Sequence, residues 1–577
     1  MTASEAKNPI VLSGEGLTLG DVLEVARQGR ALRIDPALTA RLAVTKDHIT
    51  ANWMTEAAPL IYSLNTGVGA FKGQRVDVAD MEGYQKNMIL SHATGLGTPF
   101  AEDVVRAMLL LRLNAFSADV SGISPALAER FVDFLNAGLT PVVPSKGSVG
   151  ASGDLAPLAH LAGALCGFPE AEIEFCGDRL PAPQAIRQAG LDPDVPMTAK
   201  DASALLNGST ASLAVAVLAI SDAERVVRHA DMGLALSLEA MRCEKDAFDP
   251  ALHAARPHAG QALVARNVLR IVAGSERMTE AARELPFPAE ARAPGAPVPK
   301  RVQDAYSLRC GPQVHGPVRE ALAYARGIIE TEINSATDNP LILHEAGGRR
   351  AISGGHFHGQ YVAQAMDFLA IALTDLSSIA ERRVARLIDP AMSFGLPRNL
   401  AFGKPGLNTG YATVQCSLSA LVMENRSLAV PGSVDSIPGK GNAEDHVSNS
   451  TWCARKAASV VENSKAVIAG EILVAAQAIS LVEDLAADHP IGGTARAIVA
   501  ALRRSVPLRA AGDVWFATDM EASIAALERG DLLAACTDAR TKLLIVGGYG
   551  RFRFNVEISH PLAGKIVSSK GWLERVS

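Results

Sequence analysis

The sequence predicts a mainly α protein: a core of long bundled helices, preceded by a smaller mixed N-terminal region that bears a reactive loop. Three observations lead there. The first is helical periodicity in the second half of the chain. Between Tyr361 and Ile388 an apolar stripe runs through Met366, Leu369, Leu373, Leu376 and Ile379 at three- and four-residue steps, and Asp389-Pro390 closes it. Runs from Tyr411 to about Leu428 and from Trp452 to about Leu485 have the same character, and three such helices suggest a bundle. The second is composition: hydrophobic residues make up 48%, mostly Ala, Leu and Val, with only 5% aromatics, which suits closely packed helices. The third is negative. Pro141-Val142-Val143-Pro144, ahead of the glycine-rich stretch, is a poor central strand because proline cannot donate to a ladder, so a βαβ unit is not expected there.

In chain order, residues 1–50 read as a short tail and one or two amphipathic helices, clearest at Asp21–Ala26. Leu60-Ile61-Tyr62 enters a glycine-punctuated loop, and apolar residues from Val104 to Phe116 mark a buried helix. The glycine-rich stretch 147–160 follows, then a less regular region, 167–200. Gly295 and prolines 294, 297 and 299 predict an exposed loop over 291–300. The tail from about Asp531 includes Leu543–Phe552, a candidate hairpin. A chain of 577 residues exceeds one simple core. It divides into an N-terminal region 1–205 with the loops, a long-helix bundle 206–485, and a helical region with an extended tail, 486–577.

Bulk properties exclude several classes. A net charge of −6 without a basic stretch argues against a nucleic-acid partner. Met1–Lys7 lacks the apolar core of a secretory signal, and no uninterrupted apolar run spans a bilayer, so no membrane partner is expected. Seven scattered cysteines, an odd number without a C-x-x-C pair, fit reduced thiols in a cytoplasmic protein.

The chemistry centres on Gly147-Ser148-Val149-Gly150-Ala151-Ser152-Gly153-Asp154-Leu155-Ala156-Pro157-Leu158-Ala159-His160. Ala151, Ser152 and Gly153 are three consecutive small residues. In a compressed loop the Gly153 nitrogen can reach the Ala151 carbonyl carbon, since glycine has no Cβ in the way. Loss of water from the new ring, and from Ser152, leaves a five-membered methylidene-imidazolone, a built-in electrophile. The plainer alternative is a glycine-rich turn or phosphate cradle before a helix. Five further stretches stand out: Tyr62-Ser63-Leu64-Asn65-Thr66-Gly67-Val68-Gly69; Leu205-Leu206-Asn207-Gly208; Arg301–Cys310; Ser353-Gly354-Gly355-His356-Phe357-His358; and Ser433–Pro438 with Asn442–Ser448. Taken singly, each has an ordinary reading: a packing tyrosine, an Asn-Gly turn, a solvated arginine, an exposed loop carboxylate. His356-x-His358 hints at a metal pair, but no further ligands can be identified, and no metal is expected.

Together, in this order, these stretches resemble the aromatic amino acid ammonia-lyases and aminomutases, with histidine ammonia-lyases the most similar, over roughly residues 10–530. Ser63 stands at the family's glycine, His356 at its asparagine and Ala443 at its glutamine. The resemblance implies a mostly helical homotetramer with active sites shared between subunits. It also implies a 4-methylidene-imidazol-5-one formed from Ala151-Ser152-Gly153, with no external cofactor. Elimination of ammonia needs an electrophile, because the amine leaves poorly, and a base, because the β-hydrogen is barely acidic. By resemblance Tyr62 is the base, helped if positive charge or helix N-termini lower its pKa. Arg309 offers its planar fork to the substrate carboxylate, with Tyr306 one helical turn away to polarise the site or relay a proton. Gln303 orients substrate or ring, Asn207 hydrogen-bonds near both, and Phe357 packs against the prosthetic group.

The pair Ser91-His92 resembles the histidine-specific members, where tyrosine- and phenylalanine-specific ones have His-Leu and Phe-Leu. His92 and Glu444 can together hydrogen-bond the two imidazole nitrogens. A phenyl ring there would leave both unpaired, at about 1–3 kcal/mol each when buried. Local capping by Ser91 and His92 is the alternative. The expected activity is elimination of ammonia from L-histidine to give urocanate. A lyase or 2,3-aminomutase acting on tyrosine, phenylalanine or a modified histidine remains open, as do a silent helical scaffold and the question of amine versus ring capture.

Overall fold

Ala-, Leu- and Val-rich segments at helical spacing fold into the long helices Thr210–Ala240, Gly311–Ile333, Gln360–Leu387, Ala412–Leu428 and Ser450–Leu481 in the computed structural model. The structure describes residues 8–14, 16–287, 301–404, 406–439, 443–536, 552–560 and 564–573. The expected loop at 291–300 and most of the candidate hairpin at 543–552 lie outside the described residues. All three periodic runs of the second half are helices. Thr210–Ala240 and Gly311–Ile333 lie outside those runs, although Gly311–Ile333 buries a stripe of its own through Val318, Leu322, Ala325, Ile329 and Ile333. The first is buried on every face over 210–220, and the second contains Pro317.

The chain forms two compact units, and the division falls within long helices. The first comprises residues 1–224, 320–375 and 421–464. The amphipathic helix expected at Asp21–Ala26 is Leu19–Gln28, opened by a Thr18–Asp21 capping box and closed by left-handed Gly29. The buried helix expected at 104–116 is Glu102–Phe116, with every residue from Val105 onward inside. Short strands that no alternation announced are also present. Ile10–Leu12 pairs in parallel with Leu32–Ile34, and Leu341–Glu345 pairs antiparallel with Gly348–Ile352. Pro141 and Pro144 end up in strands of two and three residues, as their missing N–H groups require. One small core joins Ile49, Trp53, Leu64, Met81, Ala199 and Ile342, beneath the loop that carries Tyr62.

The second unit comprises residues 225–319, 376–420 and 465–577. Its centre is ionic: Arg383 and Glu471, both fully buried, form a two-pronged pair, and Asp231 takes His315 and Arg319. Phe552–His560 and Gly564–Leu573 form an antiparallel pair. All seven cysteines are free. Gln360–Leu387 and Ser450–Leu481 are long and apolar enough to cross a membrane, but 56% and 83% of their apolar windows are buried inside the protein, as for core helices.

His229 in this unit makes acid stability testable. It is fully buried, its Nδ1 donates to the Arg225 carbonyl, and its Nε2 has no partner among the described residues. Burial pushes the imidazole down to about 4. The unfolded chain therefore takes up this proton first as pH falls. Stability from this group is complete above the ordinary histidine range and is lost as pH drops from 6.5 toward 4. Between about pH 7.5 and about pH 5, His229→Leu is expected to lose about 2 kcal/mol less stability than the parent in urea unfolding. Equal losses would contradict this.

Candidate active site

The loop at 147–154 folds back on itself and is fastened from three sides. Gly150 and Ala151 both bridge to Gly153, and Gly153 in turn bridges to Gly208. The Asp154 N–H donates to the Gly208 carbonyl at 2.7 Å. Gly153 has φ +77°, and a Cβ there would overlap the backbone of Gly208, so only glycine fits. Asp154 is fully buried and does not cap its own helix, Leu155–Leu165. Its Oδ2 accepts the Ser212 N–H at 2.7 Å and hydroxyl at 2.9 Å, and its Oδ1 accepts the Thr451 hydroxyl. Burial nonetheless holds this carboxyl above its usual range, with the hydrogen bonds opposing. One side chain thus ties the loop to the first turns of helices Thr210–Ala240 and Ser450–Leu481. Three helix N-termini meet at the loop, each a source of positive potential.

Glu444 reaches the same place. Its Oε1 accepts a hydrogen bond from Ser152 Oγ at 3.5 Å, and its carbonyl takes the Gly439 N–H. Residues 440–442 lie outside the described residues. Asn207, at the end of Asp201–Leu206, donates its Nδ2 to the Asn339 carbonyl at 2.9 Å, while its Oδ1 is buried without a partner among the described residues. Phe357 is half-buried in an exposed turn, fixed by the Gly354 N–H on Asn339 Oδ1 and by His358, whose Nε2 donates to the His446 carbonyl. The His358 and His446 rings stack 5.8 Å apart, and His356 is exposed. Among the described residues no group of three His, Cys, Asp or Glu is placed to hold a metal.

Tyr62 stands on a turn braced by Asn65, whose amide joins the Trp53 and Pro59 carbonyls to the Ile61 N–H. Tyr62 Oη accepts the Gly69 N–H at 3.4 Å. Ser63 has φ +59° and a buried hydroxyl without a partner, the conformation for which the family's glycine is suited. Ser91 and His92 end the helix Met81–His92, and both Ser91 Oγ and His92 Nδ1 donate to the Met88 carbonyl, a local helix-end contact. These residues, the tripeptide, Asn207, Phe357 and Glu444 all belong to the first unit.

Gln303, Tyr306 and Arg309 belong to the second. Tyr306–Arg309 is a single helical turn, so the three-residue spacing lays the Arg309 guanidinium 4.7 Å from the Tyr306 ring centre. Arg309 Nε donates to the Asp304 carbonyl, and buried Leu308 anchors the turn. Tyr306 is 72% exposed and Gln303 is exposed. Asp154, inside the quoted motif, and Asp338 and Asn339, in a polar run before Pro340, carried a visible signal in the sequence, whereas Lys200 carried none.

A doubled-back loop of small residues thus lies at converging helix ends in a mainly helical chain. The family model "Aromatic amino acid lyase" matches residues 17–504, and the chain belongs to that family. The histidine ammonia-lyase of Gloeobacter violaceus is 42% identical over 534 residues, covering 92% of this chain and 98% of that protein. Among solved structures, a tyrosine aminomutase from Streptomyces globisporus superposes with a TM-score of 0.83 at 35% identity, over 93% of this chain and all of that one. A histidine ammonia-lyase from Trypanosoma cruzi gives 0.79 at 32% identity, over 92% and 95% of the two chains.

The aromatic ammonia-lyases and aminomutases use a methylidene-imidazolone. The residues here fit that group: the tripeptide is doubled back at Ala151 and Gly153, no Cβ fits at 153, and an unpartnered buried acceptor stands on Asn207, next to Gly208.

Proposed function

We propose that this chain eliminates ammonia from L-histidine to give urocanate, with a prosthetic ring that Ala151, Ser152 and Gly153 make from themselves. The observation that carries the substrate is Glu444, a carboxylate set at Ser152, where a phenyl ring would leave it without a partner. The histidine ammonia-lyases at 40–46% identity support the same reading. The ring, when formed, supplies an electron-poor double bond that activates the departing amine.

The protein's own residues do the rest. Arg309 grips the carboxylate through its planar fork, steadied by the Asp304 carbonyl, and Tyr306 relays a proton or polarises the site beside it. Glu444 and His92 take the imidazole nitrogens, with Ser91 at the helix end beside His92 and Gln303 orienting the substrate. Phe357 packs over the ring and Asn207 hydrogen-bonds at its edge. Tyr62 takes the β-proton; the freed C–H pair becomes the Cα–Cβ double bond, and the amine leaves with the Cα–N pair. The chain acts in the cytoplasm as a homotetramer whose active sites are shared between subunits, with no nucleic-acid, membrane or metal partner.

Purified protein given L-histidine is expected to release urocanate, read by its ultraviolet absorbance, with one ammonia for each. No product at high enzyme concentration would reject histidine. The structural likeness to a tyrosine aminomutase favours one second reading, a 2,3-aminomutase or a lyase acting on another aromatic amino acid. Product analysis on an amino acid panel separates the two, since a mutase leaves a β-amino acid.

A further inference from the structure

A buried ion pair lies behind Asn207. Lys200 and Asp338 are both fully enclosed, and Lys200 Nζ donates to Asp338 Oδ2 at 2.6 Å. The other oxygen, Asp338 Oδ1, accepts the Asn339 N–H at 2.6 Å. Asn339 then serves two segments of the site. Its carbonyl takes Asn207 Nδ2, and its Oδ1 takes the Gly354 N–H of the turn that carries Phe357. Arg112, also fully buried, binds the same two strips of backbone by donating to the Ala204 and Thr337 carbonyls.

This arrangement decides which way the Asn207 amide faces. A carbonyl oxygen only accepts, so the Asn339 carbonyl can engage Asn207 through Nδ2 alone. Oδ1 is then left as the acceptor, buried and unpartnered, on the residue next to Gly208, which grips Gly153 and Asp154. If the Asn339 backbone turned, the amide would lose its one fixed partner among the described residues.

Stability alone does not account for such a pair. Burial pushes the Lys200 ammonium down while Asp338 pushes it back, and fully buried ion pairs are commonly replaced by neutral side chains of similar volume without loss of stability.

We propose that Lys200 and Asp338 are positioning residues for the reaction: through Asn339 they fix Asn207 with its carbonyl oxygen toward substrate and hold the Phe357 turn in register with it. The inference rests on the proposed role of Asn207 and deepens it.

The test is a kinetic cycle on full-length protein with L-histidine, kcat being counted per chain that intact mass shows to be two waters short. Asn207→Ala is expected to lower kcat about a hundredfold, and the neutral double variant Lys200→Met with Asp338→Asn about tenfold at unchanged melting temperature. Combining all three is expected to cost clearly less than the product of the two losses, because the pair acts largely through that side chain and only in part through the Phe357 turn. A double variant with parental kcat, or losses that multiply in the triple variant, would overturn the inference. Full activity in Asn207→Ala would instead remove the role assigned to Asn207. Should the double variant fail to fold, Lys200→Gln with Asp338→Asn, which leaves no unpaired buried charge, closes the same cycle.

Discussion

Ser152→Ala is expected to fold like the parent and lose kcat with L-histidine by on the order of 10³-fold or more. Ring closure joins the Gly153 nitrogen to the Ala151 carbonyl carbon and expels one water, made from that oxygen and the amide hydrogens of Gly153 and Ser152. The second water takes the Ser152 hydroxyl together with its Cα hydrogen. Alanine has no hydroxyl to give, so the double bond never forms. The fold has little at stake, since the hydrogen bond from this hydroxyl is the 3.5 Å contact to Glu444. The melting temperature should therefore stay within a few degrees, as for other substitutions that remove one weak, partly exposed contact. A folded Ser152→Ala protein that kept about a tenth of the parental turnover would separate the activity from the tripeptide.

Tyr62→Phe is the second large effect, a loss of about 10²–10⁴ in kcat with little change in KM, the range for removal of a general base. The loop should hold without the hydroxyl. Its shape is kept by the Asn65 amide, by the Ser63 N–H on Thr66 Oγ1, and by Tyr84, which donates to the Thr66 carbonyl, whereas Tyr62 Oη takes only the long Gly69 contact. Steady-state kinetics beside a melting curve decide the point. A raised KM at parental kcat would make Tyr62 a binding residue, and some other group would have to take the β-proton.

Much of this was legible in the sequence wherever one stretch carried its own pattern. The stripe through Met366, Leu369 and Leu373 gave away its helix because only one face is buried. Thr210–Ala240 hid because burial on every side erases the stripe, and Gly311–Ile333 because Pro317 interrupts an otherwise helical pattern. The small strands were too short for alternation to register. The site divides in the same way. Ala151–Gly153 and the Tyr306–Arg309 turn are local in the chain, so residue type and spacing reveal them. Asp154 meets Ser212 and Thr451 across 58 and 297 residues, and Lys200 meets Asp338 across 138, separations at which no spacing rule operates. Local capping by Ser91 and His92 was one of the two readings their sequence offered, and both side chains do bond the Met88 carbonyl one turn back at the helix end.

The claim beneath all of this is that the chain turns three of its own residues into an electrophile. Mass spectrometry of the peptide spanning 148–155 from freshly purified parent protein tests it most directly. A peptide two waters lighter than its sequence, with the loss confined to 151–153, is the expected result. A peptide of full mass from protein that nonetheless releases urocanate would contradict the account.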